Sequence, residues 1–401
     1  MNSLKPMLLT SLKSYNRSQF IKDVTAGIIV AIIALPLSIA LALASGVGPE
    51  AGIFTAIVAG FVISALGGSS VQIAGPTAAF ATIVAGIVAK DGMDGLVIAT
   101  ILAGIFLVLM GLCHFGSLIK FIPFTITTGF TSGIAVTIVI GQLKDFFGLT
   151  YPDGVKPIET TEKFRAVVEN FSTINIDALI VGSVSLAVLI IAPYIFKRIP
   201  GSLIAVIIGI LMVQFLPLKV STIGNLYTIS NSLPSFHLPA VSLEVVQNAL
   251  PNAFTIAVLA AIESLLSCVV ADGMINGKHR SDMELVAQGA GNIASALFGG
   301  IPATGAIART AANIKNGGRT PIAGIVHSIT LVIVLVVLMP YAGMIPMPTI
   351  AAILFIVAYN MCQWHTFVKL VKTAPKSDII VLFASFILTV LFDLVVAIEI
   401  G

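Results

Sequence analysis

Apolar runs follow one another along most of the chain, separated by short Gly-, Pro- or Lys/Arg-bearing turns and by a few longer polar stretches. A run of about 20 apolar residues crosses a ~30 Å hydrocarbon core as a helix. In hydrocarbon every backbone polar group must be satisfied inside the segment, so helices and closed barrels are the only spanning structures. A barrel would show short strands of alternating polarity, and these runs do not alternate. Only 10% of the 401 residues are charged and 57% are hydrophobic, whereas a soluble domain carries about 25% charged residues. The chain reads as an all-α membrane protein. Its first twenty residues, Met1 to Phe20, are polar and basic and have no early apolar region, so no cleavable signal peptide is read. Cys113, Cys268 and Cys362 lie far apart inside apolar runs and read as small buried hydrophobes, with no disulfide framework.

The runs and their punctuation give spans near 23–45, 50–67, 71–89, 95–113, 117–141, 176–196 and 199–217. A second set lies near 247–272, 283–299, 302–316, 321–340, 344–362, 377–392 and 393 onward. Seven plus seven transmembrane segments are therefore expected, separated by a polar stretch at 218–246 that holds Pro234 and Pro239. The last run, to Gly401, is too short for a full crossing. Residues 1–22 read as a cytoplasmic N-terminus, 23–217 as a first repeat, 218–246 as an extracellular linker and 247–401 as a second repeat with its last span incomplete. An N-terminus in the cytoplasm obeys the positive-inside rule. It leaves fourteen of the 21 Lys and Arg inside, among them Lys5, Lys13, Arg17, Lys22, Lys278 and Arg280. Six lie outside (Lys90, Lys144, Lys156, Lys163, Arg165 and Lys219), and Arg309 remains within a span. An odd number of spans per half inverts the second half relative to the first, giving an inverted repeat in a multi-pass protein of the cell membrane.

Two spans are broken at matching places. Ile63-Ser64-Ala65-Leu66-Gly67-Gly68 precedes Gly75-Pro76-Thr77-Ala78-Ala79-Phe80 in the first half. Ala294-Ser295-Ala296-Leu297-Phe298-Gly299-Gly300 precedes Ile301-Pro302-Ala303-Thr304-Gly305-Ala306-Ile307-Ala308-Arg309-Thr310 in the second. Paired Gly/Pro breaks in two halves point to the substrate site of a secondary transporter. Residues 70–75 favour extension, and six extended residues cover ~20 Å, half the membrane. Pro76 then suits the first turn of a half-helix over 77–89, and the mirror arrangement puts 301–305 extended and 306–316 helical. Both half-helices are expected to begin near the midplane and to face each other. Each beginning exposes unpaired N–H groups and the positive end of a helix dipole. The expected anion site comprises Thr77, Ala78, Ala79 and Phe80 on one side and Gly305, Ala306, Ile307, Ala308 and Arg309 on the other. Its donors are Thr77 and the backbone N–H groups of Ala78, Ala79, Ala306, Ile307 and Ala308. The extended arms can pair with each other as strands. The plainer alternative is that the glycines only let helices pack closely, which leaves the matched prolines unexplained.

Two intramembrane charges stand out. Arg309 lies about one turn past the second break, where an arginine costs at least ~2.5–3.5 kcal/mol on insertion scales and so requires a partner or a use. Glu263 lies midway along the eighth span, and Ser267 follows four residues later on the same helical face. A carboxylate in low dielectric readily takes a proton, so Glu263 is the expected coupling-ion site, with Ser267 as a further oxygen. A sodium ion held by Glu263 and Ser267 is the alternative, and a structural ion pair between Glu263 and Arg309 is a third reading. Asp272 reads as a solvated cap near the cytoplasmic end. The five histidines, His114, His237, His279, His327 and His365, are scattered and lack metal spacing. No phosphate-cradling GxxxxGK[ST] loop and no Gly-x-Ser-x-Gly elbow occurs. The sequence thus calls for no enzyme, no cofactor and no nucleic-acid partner.

At these residues the chain resembles the sulfate permease (SulP) family of inorganic anion transporters, in its prokaryotic form, from Phe20 onward. The resemblance is carried by Asp23-Val24-Thr25-Ala26-Gly27, Pro36, Ser45-Gly46-Val47-Gly48-Pro49 and Gln72-Ile73-Ala74-Gly75-Pro76-Thr77. It continues in Glu263-Ser264-Leu265-Leu266, Val270-Ala271-Asp272 and the segment from Gly299 to Thr310. The resemblance implies fourteen spans in a seven-plus-seven inverted repeat, as in nucleobase permeases. It implies a core domain (spans 1–4 and 8–11) moving against a gate domain (spans 5–7 and 12–14), with half-helices in spans 3 and 10. It further implies elevator transport of a small anion such as sulfate, bicarbonate, chloride or a dicarboxylate, and a homodimer joined through the gate. Two departures are visible. Leu37-Ser38 follows Pro36 where many relatives carry glutamine, and neither a complete fourteenth span nor a cytoplasmic STAS domain is read. Glutamate at 263 resembles the proton-coupled relatives more than the sodium-coupled ones. A secondary active symporter driven by H+ or Na+ is the expected function. A nucleobase–cation symporter of the same fold and an uncoupled anion exchanger or channel are the alternatives.

Overall fold

The structure is a computed structural model that describes residues 4–117, 124–152, 154–155, 157–196, 199–239 and 241–391. A short helix α1 (Met7–Ser11) precedes α2 (Arg17–Ala44), whose first turn is capped by the Asn16 side chain accepting from Gln19 N at 2.9 Å. Next come α3 (Pro49–Leu66), strand β1 (Ala74–Gly75), a single 3₁₀ turn (Ala78–Phe80) and α4 (Ala81–Leu112). The first half continues with α5 (Phe124–Phe147), α6 (Thr160–Glu169), α7 (Ile176–Ile195) and α8 (Gly201–Phe215). After a small turn α9 (Ile223–Leu226) come α10 (Leu243–Ile275), α11 (Ser281–Leu297), β2 (Thr304–Gly305) and α12 (Ile307–Lys315). The described chain ends with α13 (Ile322–Ala342), α14 (Met347–Cys362), α15 (Trp364–Thr373) and α16 (Lys376–Leu391). The run expected from 393 onward lies outside the described residues.

This is a mostly helical membrane protein: among the described residues, eight helices are long and apolar enough to cross a bilayer. The third and fourth expected spans are the two arms of α4, which bend at Gly92, where φ is 71° and only glycine is unstrained. The fifth helix sits further along the chain than the expected 117–141, running on through Lys144 to Phe147. Near that end the Lys144 ammonium lies 4.9 Å over the Tyr151 ring, a cation–π contact.

The helices pack in two groups. α2, α3, α4, α10, α11, α12 and α13 lie against one another, while α5, α7, α8, α14 and α16 form the second set. α2 is a main seam, meeting both α14 and α8 of the second set. Within the first group, α4 crosses α11 closely because glycine meets glycine: a Cβ on Gly104 would come within 2.7 Å of the Gly289 carbonyl. Small residues at such crossings are how helices associate where lipid supplies no hydrophobic drive.

Candidate functional site

The two extended arms meet as the shortest possible sheet. β1 and β2 pair antiparallel, with Ala74 opposite Gly305 and Gly75 opposite Thr304. The strand pairing expected of the two breaks is thus present, and Ala306 N extends it by donating to Ile73 O at 2.9 Å. That last bond is a correction to the expected donor set: the Ala306 N–H is consumed by the sheet and faces no ligand. Thr310 N donates to Ala306 O at 2.9 Å, so α12 opens at Ile307 rather than at 306. On the other side, Thr77 is extended (φ −126°, ψ 159°) and Ala78–Phe80 makes one tight turn before α4 begins at Ala81. Thr77 is half-buried, Ala78, Ala79 and Phe80 are buried, and Ile307 and Ala308 are exposed. One helix start is enclosed and the other is open.

Side chains from neighbouring helices satisfy the backbone of each arm, as buried irregular backbone requires. In the first arm, Ile73 N donates to Thr310 Oγ1 at 3.0 Å and Asn313 Nδ2 donates to Val71 O at 2.9 Å. In the second, Ile301 N donates to Thr55 Oγ1 at 2.7 Å, and Ser295 Oγ donates to Ile301 O at 2.8 Å. Asn292 grips Ala303 from both sides, accepting from its N–H and donating to its carbonyl, each at 2.8 Å. Thr304 Oγ1 donates to Ala260 O on α10 at 3.0 Å.

Arg309 is only 1% exposed. Its guanidinium turns back beneath the first break, where Nη2 donates to Pro76 O at 3.2 Å and to Ser38 Oγ at 3.3 Å. Gly75 makes the room: a Cβ there would overlap Arg309 Nη1. Nε and Nη1 are buried without a hydrogen-bond partner among the described residues. No carboxylate lies within ion-pair distance either, since the ion pairs among the described residues are His114–Asp282, Arg165–Glu169 and His279–Asp272. The structural Glu263–Arg309 pair considered from sequence is therefore not formed. Glu263, half-buried, instead accepts from Thr77 Oγ1 at 2.9 Å, because α10 faces the first arm while Arg309 points under it. Ser267 is 1% exposed, and its Oγ has no partner among the described residues. Asp272 closes the α10–α11 turn by accepting from His279 N at 2.9 Å and meeting the His279 ring at 2.7 Å.

The arrangement places one uncompensated cationic group and two helix beginnings around a two-residue sheet, with one carboxylate tied to the enclosed start. Such a site can hold an anion and can register a cation at Glu263. Sequence reasoning passed over Glu284, Asn292 and Thr55. Glu284 reads as an ordinary acid in the first turn of α11, and Asn292 and Thr55 as polar residues on packed helices. The only available signal was the cost of burying them in a membrane.

The sequence and the fold both match known proteins. The model of the Sulfate permease family covers residues 20–385. YvdB of Bacillus subtilis (strain 168), assigned as a sulfate transporter, is 42% identical over 395 residues, covering 97% of this chain and 73% of that protein. The bicarbonate transporter BicA of Picosynechococcus sp. is 33% identical over 390 residues, covering 94% of this chain and 68% of BicA. The solved transmembrane domain of a cyanobacterial BicA superposes with a TM-score of 0.85 at 29% identity, covering 96% of this chain and 98% of that domain. The murine Solute Carrier 26 family member A9 anion transporter, in its inward-facing state, gives a TM-score of 0.89 over 99% of this chain and 69% of that one; at 20% identity it speaks for the fold alone. With a family model spanning nearly the whole chain and an architecture that follows it, this protein belongs to the sulfate permease family.

Proposed function

We propose that the chain is a secondary active transporter of a small anion of the sulfate, bicarbonate or dicarboxylate class. Arg309 carries this reading: a buried guanidinium beside two helix beginnings, with two nitrogens unsatisfied and no carboxylate in ion-pair distance among the described residues. An uncompensated charge in a low-dielectric interior costs several kcal/mol and is retained where a ligand completes it. The names of the relatives agree in kind, since sulfate and bicarbonate are both small oxyanions. The substrate contacts are Thr77, the N–H groups of Ala78, Ala79, Ile307 and Ala308, and the neighbouring Phe80, Gly305, Ala306 and Arg309. Glu263, with Ser267, binds the coupling ion, H+ or Na+. The nucleobase alternative is not carried forward, because a buried guanidinium suits an anion.

The fourteen-span, seven-plus-seven inverted repeat belongs to the same proposal, with the N-terminus cytoplasmic. The core is spans 1–4 and 8–11 and the gate spans 5–7 and 12–14, in line with the two packing groups of helices. Transport follows as an elevator motion of the core along the gate in a homodimer in the cell membrane. The deciding experiment is uptake of labelled sulfate, bicarbonate and fumarate into proteoliposomes under imposed pH and sodium gradients. One anion should accumulate with one gradient, and Glu263→Gln should abolish that accumulation. Anion current independent of either gradient would replace symport by a channel.

A further inference from the structure

Glu284 on α11 is wholly buried and plays no part in the proposed site. Its Oε2 accepts from the N–H groups of Gly68 at 2.9 Å and Ser69 at 3.2 Å. Its Oε1 accepts from Gln72 Nε2 at 2.8 Å and Gln288 Nε2 at 2.9 Å. Four donors meet one carboxylate, with no cation in ion-pair distance among the described residues. Three of the four belong to the arm leading into the first break. Packing α11 against α4 does not call for an acid, and an unpaired buried carboxylate is costly.

Gln72 shows what the carboxylate does. Its amide lies over Gly305, where a Cβ would overlap Nε2. Its Oε1 accepts from Cys268 Sγ at 3.1 Å. A carboxylate accepts only, so Glu284 permits one orientation of this amide, with nitrogen toward itself and oxygen toward the thiol. The chain of contact then runs from α11 through Gln72 to Gly305, and Gly305 is paired with Ala74. The same two-sided fit recurs across the sheet, where Gly75 receives Arg309.

We infer that Glu284 is a positioning residue of the anion site, holding the first arm by its backbone and setting, through the Gln72 amide on Gly305, the offset between the two helix beginnings. This rests on the anion-site reading above. Full-length protein in proteoliposomes provides the test, with labelled sulfate and bicarbonate as probes and hydrogen exchange of the 67–75 amides as a readout independent of transport. Glu284→Gln should speed exchange at Gly68 and Ser69 and raise the uptake KM about tenfold, the scale of one lost charge-assisted hydrogen bond, with Vmax within about twofold. Gln72→Ala should raise KM similarly, and the double variant no further, because the two act as one unit. The exchange Gln72→Glu with Glu284→Gln restores an acid–amide pair and should recover KM to within about threefold. Wild-type exchange rates in Glu284→Gln overturn the inference. So does a wild-type KM in that variant while Thr77→Val raises it. If loosened amides leave KM unmoved in Glu284→Gln and Thr77→Val also leaves it unmoved, the anion-site reading fails first and takes this inference with it. Should Glu284→Gln not fold, Gln72→Ala carries the same exchange and KM readouts.

Discussion

Thr77 Oγ1 donates to Glu263 Oε2 at 2.9 Å, joining the first residue beyond the broken arm to the middle of α10. The hydroxyl has one proton to give, so it cannot serve the carboxylate and an arriving anion at once. Under the proposed function, Thr77 is then the contact between substrate and coupling ion. Thr77→Ser keeps the hydroxyl and should keep gradient-driven uptake. Thr77→Val removes it and should lower the ratio of uptake with and without a gradient by about tenfold. Equal ratios in Thr77→Val and wild type would dissociate the two events.

Gly75 is required by Arg309, not by its own backbone, since its φ lies outside the left-handed region. A methyl group there displaces the guanidinium from Pro76 O and Ser38 Oγ at a cost of about 1–3 kcal/mol of overpacking. Gly75→Ala should lower anion affinity by at least about tenfold, measured as uptake KM or by calorimetric titration. Gly182→Ala, whose Cβ would meet the Phe146 ring at 2.9 Å in the second helix group, is the control that should leave affinity nearer wild type.

The sequence revealed the breaks because their cause is local: Pro76 and Pro302 forbid a continuous helix, and Gly75 and Gly305 mark close approach. It revealed Arg309 because a charge in an apolar run demands explanation. The partners of these residues were hidden for the opposite reason. Gln72 and Glu284 are 212 residues apart and Thr77 and Glu263 are 186 apart, so only the folded arrangement pairs them. The spending of the Ala306 N–H on Ile73 O depends on strand register, which two-residue strands do not encode in any pattern. The Arg309 direction was invisible too: a residue in the first turn of α12 could point to α10 or to α2, and Ser38 and Pro76 decide it.

Arg309 also separates function from stability. Replacing a buried ion pair by apolar side chains of similar volume is often neutral or stabilising by about 1–4 kcal/mol, and a buried charge without a counter-ion lacks even the pair's Coulombic gain. Arg309→Met should therefore abolish anion uptake while leaving the thermal midpoint unchanged or higher. Arg309→Lys keeps the charge but lacks the unpartnered Nε and Nη1 donors left for an anion, so it should fold and transport poorly. A large fall in the midpoint of Arg309→Met would show that the guanidinium is structural.

At the N-terminal entry to α2, Asp23 is wholly buried and gathers donors from two sides. Gln19 Nε2 and Arg319 N donate to Oδ1 at 2.8 and 2.9 Å, and Thr320 Oγ1 and Tyr15 Oη donate to Oδ2 at 2.6 and 3.1 Å. Burial, then the charge of Asp23 and the hydrogen bond to it, push the Tyr15 hydroxyl up from 10.0 to about 12. The folded protein therefore holds this proton over a range where the unfolded chain has released it. The stabilisation is fully present below about pH 10 and is lost as pH rises toward about 12, since stability falls wherever the folded state binds more protons. Thermal midpoints in detergent across that window should fall more steeply for wild type than for Tyr15→Phe, which has no proton to lose. Parallel curves for the two would mean that Tyr15 is not held by Asp23 in the folded protein.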